Sequence, residues 1–303
     1  MRLTHSSPGD PCMDGCAGHP AGGNDCANVW KKEVRPQKGV YMAEMILKVV
    51  NSEGQAVAVS HGQDETYLVC DREYQEGDRL VFIPGDEACH VWLQLDDVLG
   101  KSLVYVTGEV SYEIPFGEKR VNLSPRAFTG TQHLLWARKA RDFEIGAYRN
   151  LALNVNDQHG DPACFPHASA NVETRGESVF AAKNAIDGVT ANDSHGIWPY
   201  QSWGINRRDD AVIRLDFGRT VETDRIILYT RADFPHDNWW TEATFTFSDG
   251  STMKVNMEKS ALPHEFTFEK KKISWLEMSN MIKADDPSPF PALSQLEVYG
   301  TDL

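Results

Sequence analysis

The chain has 303 residues, a length typical of two domains rather than one. Hydrophobic residues make up 41% and charged residues 24%, close to the average of soluble globular proteins, which excludes wholesale disorder and fibrous structure. Acidic side chains number 44 against 30 of Lys and Arg, for a net charge of -14. Because such an acidic surface repels phosphate backbones and anionic lipids, we expect neither nucleic acid nor a membrane as a partner.

The first segment, residues 1–41, is rich in Gly, Pro, Ala, Asn and Asp and has neither helical nor strand periodicity. We expect it to be a disordered leader, and the orderly run from Met42 makes Met42 an alternative start. The segment lacks an apolar run of ~7–15 residues, the length of a secretory signal. Cytoplasmic residence is therefore expected, with an extracellular location left open.

The six cysteines are too few for a disulfide scaffold, so we expect Cys70, Cys89 and Cys164 to be reduced and packed. The other three lie in the leader with a histidine, and together they offer four soft ligands: Cys12, Cys16, His19 and Cys26. A structural zinc site usually has closely spaced ligand pairs at both ends, and here only one end has such a pair. A disordered leader without zinc is the simpler interpretation.

Residues 42–148 alternate short apolar runs with turn residues, which is typical of an antiparallel sandwich or barrel. The runs predict strands at residues 46–50, 56–59, 67–70, 80–83, 91–95, 103–106 and 109–114. One or two helical turns are expected at residues 132–140. We interpret this range as an all-β domain of unknown type, without a catalytic constellation.

A second domain is predicted at residues 150–303, with strands at residues 211–217, 225–230, 243–247, 253–257, 266–268 and 273–278. Strict alternation at residues 244–247, followed by Asp249-Gly250, predicts a hairpin with a type I′ turn. Phe245 and Phe247 should then face one core together. Nucleotide-binding folds and solenoids are excluded, since the sequence has no Gly-rich phosphate loop after a strand and no repeat of 20–50 residues.

Short motifs in a fixed order cover nearly all of residues 150–301. They are Asn150-Leu151-Ala152, Pro166-His167-Ala168-Ser169-Ala170, Ala185-Ile186-Asp187-Gly188, Trp203, Arg214-Leu215-Asp216-Phe217-Gly218, Asp224-Arg225-Ile226, Ser248-Asp249-Gly250 and Leu293-Ser294-Gln295-Leu296-Glu297-Val298-Tyr299-Gly300. In these motifs the sequence resembles a discoidin, or coagulation factor 5/8 type C, domain of the galactose-binding-like superfamily, close to carbohydrate-binding modules of family 32.

The resemblance implies an eight-stranded jelly roll whose loops at one end hold a ligand, usually a sugar. Residues 42–148 match no family that we can name. The predicted fold class is therefore all-β, with two β-sandwich domains, of which the C-terminal one is a galactose-binding-like jelly roll.

The loop at residues 231–240 combines aromatic and polar side chains. A sugar presents an apolar C–H face rimmed by hydroxyls, so its site needs a flat aromatic platform with hydrogen-bonding groups at the edge. Trp239 or Trp240 would supply the platform. The groups that would hold the hydroxyls are Arg231, Asp233, His236, Asp237 and Asn238. Alternatively, the tryptophans close the end of the sandwich and Arg231 pairs with Asp233.

A second aromatic and polar loop runs over residues 195–208, and in related modules loops at this position help to build the ligand site. Trp203 best matches the family's buried tryptophan, so we assign it to the core. Trp198, Tyr200 and Arg207 are further candidates for ligand binding. Their alternative role is to cover the end of the sandwich, since loop aromatics also do this.

The resemblance also implies a structural calcium site. Its candidate ligands are Asn184, Asp187, Asn192 and Gln295, with Asp193 beside them. Calcium takes six to eight oxygens, and here a glutamine stands where a glutamate is common and the loop after Gly188 is longer than usual. The alternative is that Asp187-Gly188 is only a turn.

A transition-metal site is a weaker alternative, built from His159, Asp161, Cys164 and His167. Intervening prolines prevent the two histidines from sharing a helix face, so packing at a strand entry is the simpler interpretation.

The leading hypothesis is a non-catalytic carbohydrate-binding protein. Its rival is a glycan-active enzyme, hydrolase or lyase, in which Asp233 and Asp237 act as acid and base. A third possibility is a protein-interaction module, which an exposed apolar patch would favour. No Gly-x-Ser-x-Gly motif supports a serine nucleophile.

Overall fold

A computed structural model describes residues 44–85, 88–160, 163–232 and 237–303. The fold class is all-β, as predicted. The strands are β1 (Met45–Val50), β2 (Ala56–Gly62), β3 (Glu65–Cys70), β4 (Arg79–Ile83), β5 (Cys89–Gln94), β6 (Ser102–Val106), β7 (Val110–Glu113), β8 (His133–Lys139), β9 (Arg149–Asn150), β10 (Cys164–Phe165), β11 (His167–Ala170), β12 (Trp203–Gly204), β13 (Ile213–Thr230), β14 (Asp237–Asn238), β15 (Trp240–Phe247), β16 (Thr252–Asn256), β17 (His264–Lys283) and β18 (Phe290–Asp302).

Helices are few and short. The α-helix α1 spans Asp142–Ile145, and 3₁₀ helices span Gly117–Arg120, Thr174–Gly176, Ser178–Phe180 and Ala182–Ile186. Within the described ranges, no helix is long and apolar enough to cross a membrane.

The N-terminal half is a sandwich of two antiparallel sheets. One sheet has the order β2-β1-β4-β7 and the other β10-β6-β5-β8-β3. Strand residues alternate between the two faces of a sheet, so the inward ones from both sheets meet in one core that includes Leu47, Phe82, Val91 and Leu135, all with no exposed surface. The seven strands predicted between residues 46 and 114 are confirmed.

The predicted helical turns at residues 132–140 are wrong, because this segment forms strand β8. Its alternate residues His133, Leu135 and Ala137 are buried, which is the period of a strand. On the outer face, Tyr67 and Val69 of the edge strand β3 lie beside Trp136 and Leu134 of β8. Tyr67 is 64% exposed. An exposed apolar surface is the feature that would favour the alternative of a protein-interaction module.

The C-terminal half is built around one sheet with the order β12-β18-β13-β17-β15-β16. Strands β13 and β17 are 18 and 20 residues long, and each spans two of the strands predicted from the sequence. Register shifts interrupt their pairing after Asp216 and after Thr223. The sheet surrounds a second core that includes Trp203, Phe217, Phe245 and Trp240, all with no exposed surface.

The predicted hairpin is present, between β15 and β16, and Phe245 and Phe247 share one core as expected. Its turn differs from the predicted type. A type I′ turn needs positive φ at both central residues, whereas only Gly250 has it here, at +83°. The amide of Gly250 donates to the carbonyl of Phe247, and the amide of Phe247 donates to the carbonyl of Ser251. The loop therefore has three residues, 248–250, and ends in a left-handed glycine.

The two halves form one compact unit. Strand β10 follows the predicted boundary at residue 150 yet pairs with β6 of the N-terminal half, and Cys164 belongs to the N-terminal core. The segment before β10 also lies along that half, since the amide of Val155 donates to Ser102 Oγ at 3.0 Å. The boundaries at residues 42–148 and 150–303 stay a prediction.

Candidate ligand-binding site

Loop segments of the C-terminal half meet around a cavity of about 240 Å³. Two of the segments are the 3₁₀ helices Thr174–Gly176 and Ser178–Phe180. Except for the loop at His195, the others belong to strands β12, β14 and β18 or lie next to β12 and β13. The lining consists of Thr174, Arg175, Phe180, His195, Gly204, Ile205, Asn206, Arg207, Arg231, Asp237, Phe290, Pro291 and Ala292.

A buried ion pair belongs to this lining. Arg231 is 1% exposed and Asp237 is 6% exposed, with 3.2 Å between Nη2 of the arginine and Oδ2 of the aspartate. Nη1 of Arg231 also donates to the carbonyl of Tyr200 at 2.8 Å. A buried charge is tolerated when it is paired and hydrogen-bonded, and these contacts hold the guanidinium in one orientation.

Aromatic rings and further cations surround the ion pair. Phe290 stands between two prolines at the start of β18 and is 37% exposed. The guanidinium of Arg207 lies over its ring, 4.5 Å from the centroid. Similarly, the guanidinium of Arg175 lies 5.6 Å from the ring centroid of Phe180. The cavity thus combines apolar ring faces with planar hydrogen-bond donors.

The backbone is left-handed at three positions of the lining. Among the described residues, five that are not glycine have positive φ, namely Phe128, Arg175, Asn206, Arg207 and Asn280. Three of these five line the cavity, with φ of 54° at Arg175, 50° at Asn206 and 62° at Arg207. Such conformations cost ~1–3 kcal/mol each and cluster at ligand sites, where the surrounding structure maintains them.

Of the ten predicted ligand residues, the structure brings Arg207, Arg231 and Asp237 together in this cavity. Tyr200 lies beside it and accepts the hydrogen bond from Arg231. Asp233 and His236 lie outside the described residues.

Trp240 and Asn238 are buried, which corrects their predicted roles. Trp240 has no exposed surface and packs on Trp203, 6.4 Å between ring centroids, because it begins strand β15 on its inward face. The side-chain amide of Asn238 donates to the carbonyls of Ala284 and Ser288 and so ties two loops together. Neither side chain presents a face to a ligand in this structure.

Trp239 and Trp198 are half-buried and do not belong to the described lining of the cavity. The ammonium of Lys259 lies 5.0 Å from the ring centroid of Trp239. Burial thus alternates between Trp239 and Trp240, as expected at the start of a strand.

Sequence reasoning missed Phe180, Phe290, Arg175, His195 and Asn206. The pattern Pro289-Phe290-Pro291 was a usable signal, since an aromatic side chain between two prolines has little freedom and little chance of joining a sheet interior. His195 and Asn206 lie within the loop at residues 195–208 that the sequence did single out. Phe180 and Arg175 belong to short 3₁₀ helices far from both loops in sequence.

The predicted calcium ligands separate into two groups. Asn184 faces the N-terminal half, because its side-chain oxygen accepts from Asn122 at 2.9 Å, and its role as a calcium ligand stays a prediction. The other three adjoin one another: Gly188, next to Asp187, donates to Oε1 of Gln295 at 3.3 Å, and Asn192 donates to Ser294. Oδ1 of Asn192 is buried without a hydrogen-bond partner in the described structure.

Burial raises the pKa of Asp187 to about 7, although hydrogen bonds from Val189 and Gln201 and the charge of Lys183 act in the opposite direction. A cation would favour the ionised carboxylate and would satisfy the orphaned oxygen of Asn192. Asp187, Asn192 and Gln295 therefore fit the edge of a calcium site, and calcium remains a prediction for these three residues.

The structure does not bring the described candidate ligands of a transition metal together. His159 lies 2.8 Å from Glu173, and Nδ1 of His167 lies 2.7 Å from Oδ1 of Asp157. Among the described residues, no group of three or more His, Cys, Asp or Glu side chains is placed to hold a metal ion. Asp161 and the leader residues Cys12, Cys16, His19 and Cys26 lie outside these ranges.

A domain family of unknown function, DUF7402, matches residues 163–299. No protein with a curated description matches the chain in sequence.

Part of this chain is similar to several solved sugar-binding modules. Chitosan-binding module 1 of a chitosanase/glucanase from Paenibacillus sp. IK-5 is 20% identical over 50% of this chain and 99% of that module, with a TM-score of 0.36. A fucose-binding module from Streptococcus pneumoniae is 16% identical over 51% of this chain and 99% of its own length, with a TM-score of 0.37. The family 32 carbohydrate-binding module of C. perfringens NanJ, solved with galactose, is 20% identical over 44% of this chain and 91% of its own, with a TM-score of 0.34. They cover the C-terminal half, where the sequence resemblance lies.

Proposed function

We propose that the protein binds carbohydrate without cleaving it, with a sugar unit held in the cavity between Phe180, Phe290 and the Arg231–Asp237 pair. Ring faces and Ile205 would contact the C–H groups of the sugar, and the guanidinium of Arg207 would hydrogen-bond its hydroxyls. The volume, about 240 Å³, is below the ~300–1,000 Å³ of drug-sized pockets and suits one small polar ring.

The observation that carries this proposal is the position of the Arg231–Asp237 pair. Two opposite charges, at most 6% exposed, line the same cavity as the partly exposed ring of Phe290. An ion pair of this kind contributes little net stability, so its burial beside an open cavity favours a role in recognition. The pair is held by Tyr200 and by the strand ends, and it is therefore preorganised for a ligand.

The number of carboxyl groups in the described lining of the cavity also favours binding over cleavage. Glycoside hydrolysis ordinarily uses two carboxyl groups across the scissile bond. In the described lining, Asp237 is the single carboxylate, and it pairs with Arg231. The enzyme alternative depends on Asp233, which lies outside the described residues.

Two neighbouring arginines provide a matched test. Both Arg207 and Arg208 are exposed, but only Arg207 lines the cavity, whereas Arg208 pairs with Asp210 at 2.5 Å. In calorimetric titrations with a panel of neutral monosaccharides, we expect Arg207→Ala to weaken binding about tenfold, the loss of a hydrogen bond to a charged donor. Arg208→Ala should bind like the wild type.

Equal affinities for Arg207→Ala and the wild type, in a protein that binds one of these sugars, would contradict this site. Because both arginine-to-alanine changes remove one surface charge, a loss shared by the two variants would indicate a general charge effect instead.

A further inference from the structure

A second and larger cavity, about 590 Å³, lies between the two halves of the molecule. The N-terminal half contributes Glu113, Glu118 and Lys119 to its walls, and the C-terminal half contributes Ser178, Lys183 and Tyr200. This cleft is fixed across the junction, since Oγ of Ser178 donates to the carbonyl of Glu118 at 2.7 Å. A ligand in the cleft would therefore contact both halves at once.

The cleft is adjacent to the candidate sugar site. Arg175 lines the site and the next residue, Gly176, lines the cleft. His195 lines the site, and its ring centroid is 5.9 Å from that of Tyr200, which lines the cleft. The carbonyl of Tyr200 also accepts from Arg231 of the site. The two cavities thus share a wall formed by Arg175-Gly176, His195 and Tyr200.

The charged side chains of the cleft are largely compensated by one another. Lys119 pairs with Glu113 at 3.0 Å, and Glu177 pairs with Arg175 at 2.5 Å. His159 pairs with Glu173 at 2.8 Å. Such walls are rich in hydrogen-bonding groups without a large excess of one charge, which suits a neutral chain of hydroxyl-bearing units better than an anionic or cationic one.

Lys183 adds a group of a different kind. Burial lowers the pKa of its ammonium, against the opposing effect of Asp157, Asp187 and Glu173. No ion pair within 4.0 Å is formed by Lys183 among the described residues, so its donors are available to hydroxyls in the cleft.

We infer that the ligand is a neutral oligosaccharide, with one unit in the candidate site and the following units in the cleft between the halves. The inference rests on the proposed function and extends it, because it gives the N-terminal half part of the binding surface. The cleft has more than twice the volume of the site, about 590 against 240 Å³, so it admits about two further units of the size that the site takes.

The test is the dependence of affinity on chain length. The probes are galactose, N-acetylglucosamine and the β-1,4-linked di-, tri- and tetrasaccharides of each, titrated into the full chain by calorimetry. We expect the wild-type affinity to rise about tenfold or more from one to three units and then to level off. In the double variant Glu118→Ala/Lys119→Ala the rise should disappear while monosaccharide affinity stays unchanged.

The matched control is Glu242→Ala/Lys254→Ala, which removes an ion pair, 2.9 Å apart, on strands β15 and β16, and neither residue lines the site or the cleft. This control should keep the full length dependence. A wild-type affinity that is flat with length, or a rise that survives Glu118→Ala/Lys119→Ala, would overturn the inference and leave the single-sugar site standing. A failure of all eight sugars to bind would overturn the proposed function and the inference with it.

Discussion

At the scale of single residues, Trp239 and Trp240 are neighbours in sequence that differ in burial. Trp240 has no exposed surface and contacts Trp203 in the core, whereas Trp239 is half-buried beside Lys259. The two indoles point to opposite sides of the chain because a strand begins between them. Trp240 is thus a packing residue, and the proposed recognition of a sugar depends on Arg207, Phe290 and the ion pair.

Because the two tryptophans differ in burial, we expect truncation of each to alanine to change the free energy of unfolding by a different amount. Trp240→Ala should lower the free energy of unfolding by about 4 kcal/mol, because it leaves a large cavity in the core. Trp239→Ala should lower it by less than about 1 kcal/mol. Urea unfolding of both variants measures this difference, and equal losses would show that the assignment of burial is incorrect.

The sequence was informative about the residue types of the site and poor about their arrangement. Arg207, Arg231 and Asp237 were predicted because fork-shaped donors and carboxylates suit hydroxyls. Phe180 and Arg175 were missed because they lie outside the loop at residues 195–208, before it in the chain, and only the folded structure brings these segments together.

At the scale of elements, the hairpin of β15 and β16 shows how much a local pattern determines. Alternation placed Phe245 and Phe247 correctly on the core face, because the period of a strand fixes which side chains share a face. The turn type was not determined by Asp249-Gly250. The pair is compatible with both a two-residue and a three-residue loop, and the pairing of Thr246 with Thr252 selects the longer one.

A side chain at position 250 should accordingly destabilise the fold only because of the backbone conformation there, and not because of steric clashes. The φ of Gly250 is +83°, and a Cβ there would meet no atom within 4 Å, so steric clashes do not contribute. We expect Gly250→Ala to destabilise the protein by about 1 kcal/mol and Gly250→Asn by less, since asparagine tolerates the left-handed region better. Thermal unfolding would measure both, and an alanine variant as stable as the wild type would contradict this turn geometry.

The segment at residues 132–140 shows the opposite case at this scale. Its residue types favour a helix, yet it forms β8, an interior strand of the five-stranded sheet, between β5 and β3. Leu, Ala, Arg and Lys are favourable helix formers, and here pairing on both edges overrides that preference.

At the scale of the whole molecule, a cluster around Asp302 connects the two halves. Its carboxylate, 2% exposed, contacts Arg149 and Arg219 and lies 3.2 Å from Nε2 of His90 on β5. Burial by itself would raise the pKa of Asp302, but hydrogen bonds from His90, Arg219 and Arg149 outweigh it and hold this pKa well below the usual range.

The lowered pKa of Asp302 leads us to expect a specific dependence of stability on pH. A carboxyl group whose folded pKa is depressed stabilises the fold above its unfolded pKa, ~3.9, and this contribution is lost as the pH falls through the folded value. Asp302→Asn should therefore cost about 3 kcal/mol at pH 7, because it removes the carboxylate that pairs with two largely buried guanidinium groups, those of Arg149 and Arg219. The deficit should shrink progressively below about pH 4.

Chemical unfolding at several pH values measures this, with Asp209→Asn as the control, since the Asp209 side chain is 87% exposed. A cost of Asp302→Asn that stays constant between pH 7 and pH 3 would be inconsistent with the ionised cluster.

The placement of a sugar beside the Arg231–Asp237 pair is tested most directly by a crystal structure of the chain with the monosaccharide that binds it best. We predict density for one sugar ring against Phe290, within hydrogen-bonding distance of Arg207 or Arg231. Density for the sugar on the half-buried face of Trp239, with the cavity at Phe290 left vacant, would contradict the account.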